Sequence, residues 1–144
     1  MPVNHRILFI CTGNFYRSRF AEAVFNYHAE RQQIPWTAMS RGLAIHLTEG
    51  YLSSFAAEAL LERQIDLRYT GRQRVQLLED DLLKSDRSIA MDRAEHLPMM
   101  QNQFPAWVDR IGYWDVPDIP HRPFKEALRE IEQNIIRLLQ EVSA

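Results

Sequence analysis

The residues with the clearest chemical potential lie near the start of the chain, where five residues separate Cys11 from Arg17. A thiolate attacks phosphorus well, and a helix N-terminus and a guanidinium beside a thiol stabilise the thiolate. Gly13 and Asn14 are residue types that tolerate the positive φ of a tightly curled loop. The N–H groups of such a loop can surround an anion, and the fork of Arg17 can hold two of its oxygens. This spacing predicts a nucleophile inside an oxyanion-binding loop.

The surrounding sequence predicts the elements that must position this loop. An apolar run at 7–10 has the length of a strand, and residues 18 to about 32 have apolar side chains at helical spacing. Further predicted elements are strands over 36–42, 87–91 and 107–113 and helices over 53–63, 77–84, 92–104 (broken at Pro98) and 124–142. This alternation predicts an α/β fold: a single domain with a four-stranded parallel sheet and helices on both faces. The loop then follows the first strand, at the sheet edge where such folds bind ligands.

Composition limits the partners and the compartment. The 144 residues are 46% hydrophobic, which suits one domain over 1–144, and a net charge of −2 favours neither nucleic acid nor an anionic membrane. The single cysteine excludes an intramolecular disulfide, and no Cys/His spacing predicts a zinc site. The first apolar run is too short for a signal segment or a membrane span. We therefore expect a cytoplasmic protein without a metal or organic cofactor.

The segment Cys11–Ser18, followed by Ala21 and Glu22, resembles the phosphate loop of low-molecular-weight protein tyrosine phosphatases. The resemblance implies that Cys11 is the nucleophile, that Arg17 binds the phosphate and the transition state, and that Ser18 stabilises the thiolate. By the same match, the phosphate-binding residues are Thr12, Gly13, Asn14, Phe15, Tyr16, Arg17 and Ser18.

A thiolate phosphatase also needs a proton donor for the leaving oxygen, and Asp115 and Asp118 are the two candidates before the final helix. The family carries a Val-Pro-Asp-Pro-like segment there whose Asp is the general acid, and residues 116–118 match it. The resemblance therefore favours Asp118, although an aspartate also suits a Pro-rich turn. A serine after the family's second strand supports the phosphate loop, which implies a bond from Ser40 to Asn14; an ordinary strand-end serine is the alternative.

Between these segments the resemblance is weaker. His46 falls near an aromatic residue that forms one wall of the family's cleft, while a solvated loop histidine is the simpler interpretation. Residues 70–73 contain Arg72 and resemble the family's Arg-Gln step before a short acidic helix. Asp92 is expected to cap the helix that follows it.

Four positions depart from the family's pattern. Tyr16 replaces a second cysteine that protects the nucleophile in many members, so that rescue by a disulfide within the chain is excluded. Phe15 stands where tyrosine phosphatases carry Ile or Leu and phosphoarginine-specific bacterial members carry Thr, which argues against phosphoarginine. Arg19 and Ile119 each replace a usual proline.

The resemblance implies a cysteine-dependent phosphomonoester hydrolase, a protein tyrosine phosphatase that acts on phosphotyrosine proteins through a phosphocysteine intermediate. Inorganic phosphate and other oxyanions should inhibit it, and a monomer or a weak dimer is expected. The main alternative is a non-catalytic phosphoprotein-binding module, although binding alone needs neither nucleophile nor acid. An arsenate reductase would have to use external thiols, and a sugar-transport phosphocarrier would not require Arg17.

Overall fold

The computed structural model describes residues 4–71 and 73–143, so the predicted Arg-Gln step at Arg72 lies outside the described residues. The strands are β1 (His5–Cys11), β2 (Trp36–Gly42), β3 (Arg87–Ala90) and β4 (Gly112–Tyr113). The helices are α1 (Arg17–Gln32), α2 (Ser54–Glu62), α3 (Glu79–Lys84), α4 (Arg93–Gln103) and α5 (Phe124–Ser143). No helix within the described residues is long and apolar enough to cross a membrane.

The four strands form one parallel sheet in the order β2–β1–β3–β4. The predicted α/β class and sheet are therefore confirmed. Because β1 lies between two other strands, its backbone is hydrogen-bonded on both edges, and its carboxyl end opens at the middle of the sheet. The loop after β1 is thus placed where an open parallel sheet binds its ligands.

Side chains of β1 alternate between two hydrophobic cores, one on each face of the sheet. Ile7 and Phe9 pack in the core formed with α1, α2 and α5. Leu8 and Ile10 pack in the smaller core formed with α3 and α4. Since all four are fully buried, the strand appears in the sequence as an unbroken apolar run.

Two predicted elements differ in the structure. The helix over 93–103 is not broken at Pro98. Proline has no N–H to donate to the carbonyl of Ala94, but both residues lie on the exposed side of the helix, where water can bind that carbonyl instead. The strand predicted over 107–113 shrinks to the two residues of β4, and a 3₁₀ turn at Pro105–Trp107 precedes it. This turn buries the ring of Trp107 in the smaller core instead of extending the edge strand.

Candidate active site

Cys11 and Arg17 mark the two ends of the loop between β1 and α1. Cys11 is the last residue of β1 and Arg17 the first residue of α1, so the loop runs from the end of a central strand to a helix N-terminus. Each residue is 2% exposed. The Sγ of Cys11 lies 2.9 Å from the Oγ of Ser18 in the first turn of α1. A helix N-terminus beside a sulfur favours the negatively charged form of that sulfur.

The carbonyl oxygens and the N–H groups of the loop backbone differ in their hydrogen bonding. The carbonyl oxygens of Cys11 and Thr12 point away from the loop and accept the N–H groups of Leu43 at 2.9 Å and Ala44 at 2.8 Å. In contrast, the N–H groups of residues 12–18 have no hydrogen-bond acceptor among residues 4–71 and 73–143. Seven consecutive unpaired donors at a helix start are the arrangement that binds a phosphate-like anion.

Asn14 orients the hydroxyl group that is hydrogen-bonded to Cys11. Its φ is 51°, in the left-handed region that the sequence predicted for this loop. Its Oδ1 accepts the N–H of Val75 at 2.8 Å, which sets the orientation of the amide. Its Nδ2 then donates to the Oγ atoms of Ser18 and Ser40, each at 3.0 Å. Because the Ser18 oxygen accepts from Asn14, its own hydrogen is left to donate to the sulfur.

Gly13 serves a different purpose from the one predicted. Its φ does not lie in the left-handed region. A Cβ at this position would lie 2.3 Å from the Oγ1 of Thr48 and 3.2 Å from its Cβ. Glycine is required here because Thr48 approaches the loop backbone too closely for a side chain.

Arg17 is held by a residue that the sequence analysis did not identify. Its Nη1 donates to Oε1 of Glu95 at 3.1 Å, and its Nη2 donates to Oε2 at 2.9 Å. Nη1 also donates to the carbonyl of Val116 at 2.9 Å. Burial lowers the pKa of the Arg17 guanidinium, but its hydrogen bond to Glu95 and the nearby negative charges together outweigh this effect and raise the pKa above its ordinary value. Arg17 is therefore a permanent cation in this site.

Cys11, Arg17 and Asp118 line one cleft of about 270 Å³. The Oδ2 of Asp118 lies 3.5 Å from Nη2 of Arg17, and its side chain is 47% exposed. Asp115 is exposed and lines a separate hollow with Arg122, away from this cleft. The structure thus brings Asp118, and not Asp115, next to the predicted nucleophile and cation.

The walls of the cleft are mostly aromatic and apolar. Phe15, Tyr16, Phe55 and Ile119 contribute, and hydroxyl groups come from Thr48, Ser53 and Ser54. Burial and the charge of Asp118 raise the pKa of Tyr16 to about 12, so its phenol stays protonated and donates to the carbonyl of Phe124 at 3.3 Å. His46 is exposed and does not line this cleft, so the structure does not support the wall position suggested for it.

Comparison with known proteins identifies the family. The family model described as low molecular weight phosphotyrosine protein phosphatase matches residues 6–144. The chain belongs to this family. Its function class is therefore a cysteine-based protein phosphatase, a hydrolase of phosphoproteins.

Individual family members agree on the fold and differ in substrate. The chain is 32% identical over 105 residues to the protein-arginine-phosphatase of Bacillus subtilis strain 168, covering 73% of this chain and 67% of that protein. The low molecular weight protein tyrosine phosphatase of T. tengcongensis is 30% identical with a TM-score of 0.81, covering 95% of this chain and 99% of that one. A mutant of the YwlE arginine phosphatase with a phosphorylated active-site serine is 26% identical with a TM-score of 0.79, covering 95% of each chain.

Arg19 occupies a position where the family resemblance expects a proline, and it is 1% exposed. Its Nε donates to the Oγ1 of Thr70 at 2.6 Å, and Thr70 in turn donates to Oε1 of Glu22 at 2.6 Å. Its Nη1 donates to the carbonyl of Tyr51 at 2.8 Å, and its Nη2 donates to the carbonyl of Gly71. Burial lowers the pKa of the Arg19 guanidinium, and the charge of Glu22 opposes this effect. Arg19 thus joins α1 to two loops beside the phosphatase cleft.

Asp92 begins α4, as the sequence predicted, but its side chain does not cap the helix. Its backbone N–H instead donates to Nδ1 of the fully buried His96 at 3.0 Å. The imidazole therefore occupies the first turn of α4, beside the Glu95 that holds Arg17. No group of three or more His, Cys, Asp or Glu side chains within residues 4–71 and 73–143 has an arrangement that could hold a metal ion.

Proposed function

We propose that this family member is a protein tyrosine phosphatase that acts through a phosphocysteine intermediate. The observation that carries the proposal is the cleft that Cys11, Arg17 and Asp118 share, beside loop N–H groups that have no acceptor in the described part of the chain. A binding module would need the anion-binding donors, but it would need neither a nucleophile hydrogen-bonded by Ser18 nor a carboxylate at the mouth of the cleft. All three chemical groups favour catalysis.

In the first step the Sγ of Cys11 attacks phosphorus, so that an S–P bond forms while the ester P–O bond breaks. The loop N–H groups and Arg17 bind the three non-bridging oxygens, where negative charge must be stabilised in the transition state. Asp118 transfers its proton to the leaving phenolic oxygen. The products of this step are a neutral phenol, a phosphocysteine and an ionised Asp118.

In the second step water attacks the phosphocysteine, and Asp118 accepts a proton from that water. The S–P bond breaks, inorganic phosphate leaves, and the thiolate and the protonated Asp118 are restored. The related YwlE mutant with a phosphorylated active-site serine supports a covalent phosphoryl group at the nucleophile position of this fold. Free phosphate and other oxyanions should compete for the same donors and inhibit the enzyme.

The walls of the cleft favour an aromatic leaving group. Phe15 and Phe55 offer aromatic faces against which a tyrosyl ring can pack, whereas a phosphorylated guanidinium needs polar partners along its length. Phosphoarginine is the second candidate, because the Bacillus subtilis relative is a protein-arginine-phosphatase. We propose that Phe15 decides between these substrates in favour of phosphotyrosine.

The test compares hydrolysis of peptides that carry phosphotyrosine, phosphoarginine or phosphoserine by the wild type and by Cys11→Ser and Phe15→Thr. The proposal predicts turnover of phosphotyrosine by the wild type, none by Cys11→Ser, and a shift of preference toward phosphoarginine in Phe15→Thr. Acid-quenched Asp118→Asn should carry one covalent phosphoryl group on Cys11 by mass spectrometry. Binding of phosphotyrosine peptide without turnover by folded wild type would favour the binding module, and preferred turnover of phosphoarginine would contradict the tyrosine assignment.

The chemistry of the Cys11 thiol also favours a reducing compartment. Cys11 has no second cysteine in this chain with which to form a protective disulfide, so the nucleophile depends on reducing surroundings. We therefore propose that the enzyme acts in the cytoplasm on phosphoproteins, as a monomer or a weak dimer. Size-exclusion chromatography with light scattering and fractionation of cells that produce the protein test these two proposals.

A further inference from the structure

Glu95, the third residue of α4, faces the back of the Arg17 guanidinium. Its two carboxylate oxygens bind Nη1 and Nη2 at 3.1 and 2.9 Å, the end-on bidentate geometry of a strong Arg–carboxylate pair. The Arg17 side chain is 2% exposed and that of Glu95 is 29% exposed, so the pair is largely removed from water. Such a pair restricts rotation of the guanidinium about its long axis.

A count of donors shows which edge of Arg17 remains available. A guanidinium has five N–H groups. Glu95 takes one from Nη1 and one from Nη2, and the carbonyl of Val116 takes the second from Nη1. The two that have no acceptor among residues 4–71 and 73–143, Nε–H and the second hydrogen of Nη2, lie on one edge of the plane and form a side-on fork. Asp118 approaches this edge, with its Oδ2 at 3.5 Å from Nη2.

Glu95 is itself held in place by His96 and Thr12. His96 accepts the Asp92 N–H on Nδ1 at 3.0 Å, so its proton is on Nε2, which lies 3.1 Å from Oγ1 of Thr12 and 3.2 Å from Oε2 of Glu95. The hydroxyl of Thr12, the residue after the nucleophile, also donates to this oxygen. Burial raises the pKa of Glu95, but the hydrogen bonds from His96 and Arg17 outweigh it and hold the pKa well below its ordinary range. The carboxylate is therefore charged and oriented before substrate arrives.

We propose that Glu95 is a positioning residue that turns the side-on fork of Arg17 toward the phosphate loop. Thr12, Glu95 and His96 form the support behind this fork, and the inference rests on the proposed phosphatase chemistry of the same loop. The opposite role, a carboxylate that competes with phosphate for Arg17, disagrees with the geometry, because Glu95 occupies the end of the guanidinium and leaves the Nε–H side without a hydrogen-bond acceptor in the described part of the chain.

A fixed fork contributes most when the phosphoryl oxygens spread in the transition state. Removal of Glu95 lets the guanidinium rotate, which costs more in the transition state than in the ground state. Glu95→Ala therefore lowers kcat on para-nitrophenyl phosphate by roughly 10- to 100-fold, with a much smaller change in KM. Glu95→Gln retains one acceptor oxygen but turns an amide NH₂ toward Arg17, so its loss is intermediate.

The experiment measures kcat and KM of wild type, Glu95→Ala, Glu95→Gln and a control, Glu132→Ala. The control removes a carboxylate of similar exposure that also pairs with an arginine, Arg63 at 2.7 Å, on a helix away from the loop. Glu132→Ala retains wild-type kcat. Thermal unfolding shows which variants are folded at the assay temperature, and only those are compared. If Glu95→Ala is unfolded, the comparison uses Glu95→Gln.

Inhibitor binding gives a second readout that a purely structural role would not change selectively. Vanadate adopts the five-coordinate geometry of the transition state, whereas phosphate resembles the product. The proposal requires that the folded Glu95 variant weakens vanadate binding more than phosphate binding by calorimetry. It is overturned if kcat stays within twofold of wild type, or if phosphate and vanadate both bind more tightly, as a competing carboxylate requires. If the wild type shows no turnover, the proposed function is wrong. The role of Glu95 is still tested in that case, by the comparison of vanadate binding with phosphate binding.

Discussion

The sulfur of Cys11 and the hydroxyl of Ser18 lie 2.9 Å apart, and the Ser18 oxygen accepts from Asn14, so its hydrogen is free to be donated to a thiolate. The Asn14 amide is itself oriented by the N–H of Val75. One backbone donor in a neighbouring loop therefore orients a chain of hydrogen bonds that reaches the residue bonded to the nucleophile. A hydrogen bond that is donated to a sulfur stabilises the thiolate and not the thiol.

Ser18→Ala should lower the reactivity of the Cys11 sulfur, because it removes the hydroxyl that can donate a hydrogen bond to the thiolate. A hydrogen bond to a charged group contributes about 1.5–3 kcal/mol, which corresponds to roughly a tenfold loss or more. The measurement is the rate of alkylation by iodoacetamide as a function of pH. Ser88→Ala, which removes another buried serine on β3, is the matched control and should keep the wild-type profile. Identical profiles for Ser18→Ala and wild type would show that the hydroxyl does not stabilise the thiolate.

Asp118→Asn should impair poor leaving groups more than good ones. General acid catalysis contributes about 100- to 10,000-fold, and a leaving group that is already acidic needs less of it. We expect kcat on phenyl phosphate to fall by about 100-fold or more, with a clearly smaller fall on para-nitrophenyl phosphate. Asp115→Asn should leave both rates near wild type, because Asp115 lies outside the cleft. Equal losses on both substrates would argue that Asp118 acts in binding and not as the acid.

Gly13→Ala should destabilise the loop through a clash with Thr48. The new Cβ would lie 2.3 Å from the Oγ1 of Thr48, and steric insertions of this kind cost about 1–3 kcal/mol. Urea unfolding of Gly13→Ala, Thr48→Ala and the double variant measures the coupling, and the double variant should recover part of the loss. Gly112→Ala is the control, since its Cβ would lie no closer than 3.7 Å to a neighbour. A double variant that is as unstable as Gly13→Ala would mean that Thr48 is not the cause.

Arg19→Met should destabilise the protein and weaken substrate binding together. The guanidinium donates to Thr70 and to the carbonyls of Tyr51 and Gly71. It also lies 3.9 Å from the buried Glu22, and loss of one partner of a buried ion pair costs about 3–5 kcal/mol. Because Tyr51 precedes the Ser53–Phe55 wall of the cleft, KM for a phosphotyrosine peptide should also rise. Urea unfolding and steady-state kinetics measure the two effects. Arg68→Met, at a side chain that is 62% exposed, is the control and should change little.

The sequence was sufficient for the elements whose signals are local. The bounds of β2 were predicted to the residue, and those of β1 and α1 within two residues. The signal for β1 is clear because a strand buried on both faces must be apolar throughout, and α1 has apolar residues at regular helical spacing. The strand and helix signals that flank the loop also placed Cys11 at its start and Arg17 at its end, where the structure has them. The local sequence pattern gave the wrong bounds for β4, because the burial of Trp107 in the smaller core determines the backbone conformation before this strand.

The missed residues act through contacts between distant parts of the chain. Glu95 meets Arg17 across 78 positions, and neither residue's neighbours indicate the other. Phe55 lies at the start of α2, where it resembles any half-exposed apolar residue, and only the folded chain shows that it lines the cleft. Gly13 illustrates a third case: the residue type was recognised as special, but its reason, the approach of Thr48, is tertiary.

Glu95 also predicts how stability depends on pH. Its pKa is lower in the folded protein than the ordinary value of about 4.3, so the folded state favours the charged form. The stabilisation that Glu95 contributes should therefore be fully present above its ordinary pKa and should be lost as the pH falls below it. Urea unfolding of wild type and Glu95→Gln between pH 3 and 7 measures this contribution as the difference between the two proteins. The difference should be constant near neutral pH and should shrink as the solution becomes acidic. A difference that grows on acidification would have the wrong sign and would mean that Arg17 and His96 do not stabilise a charged Glu95.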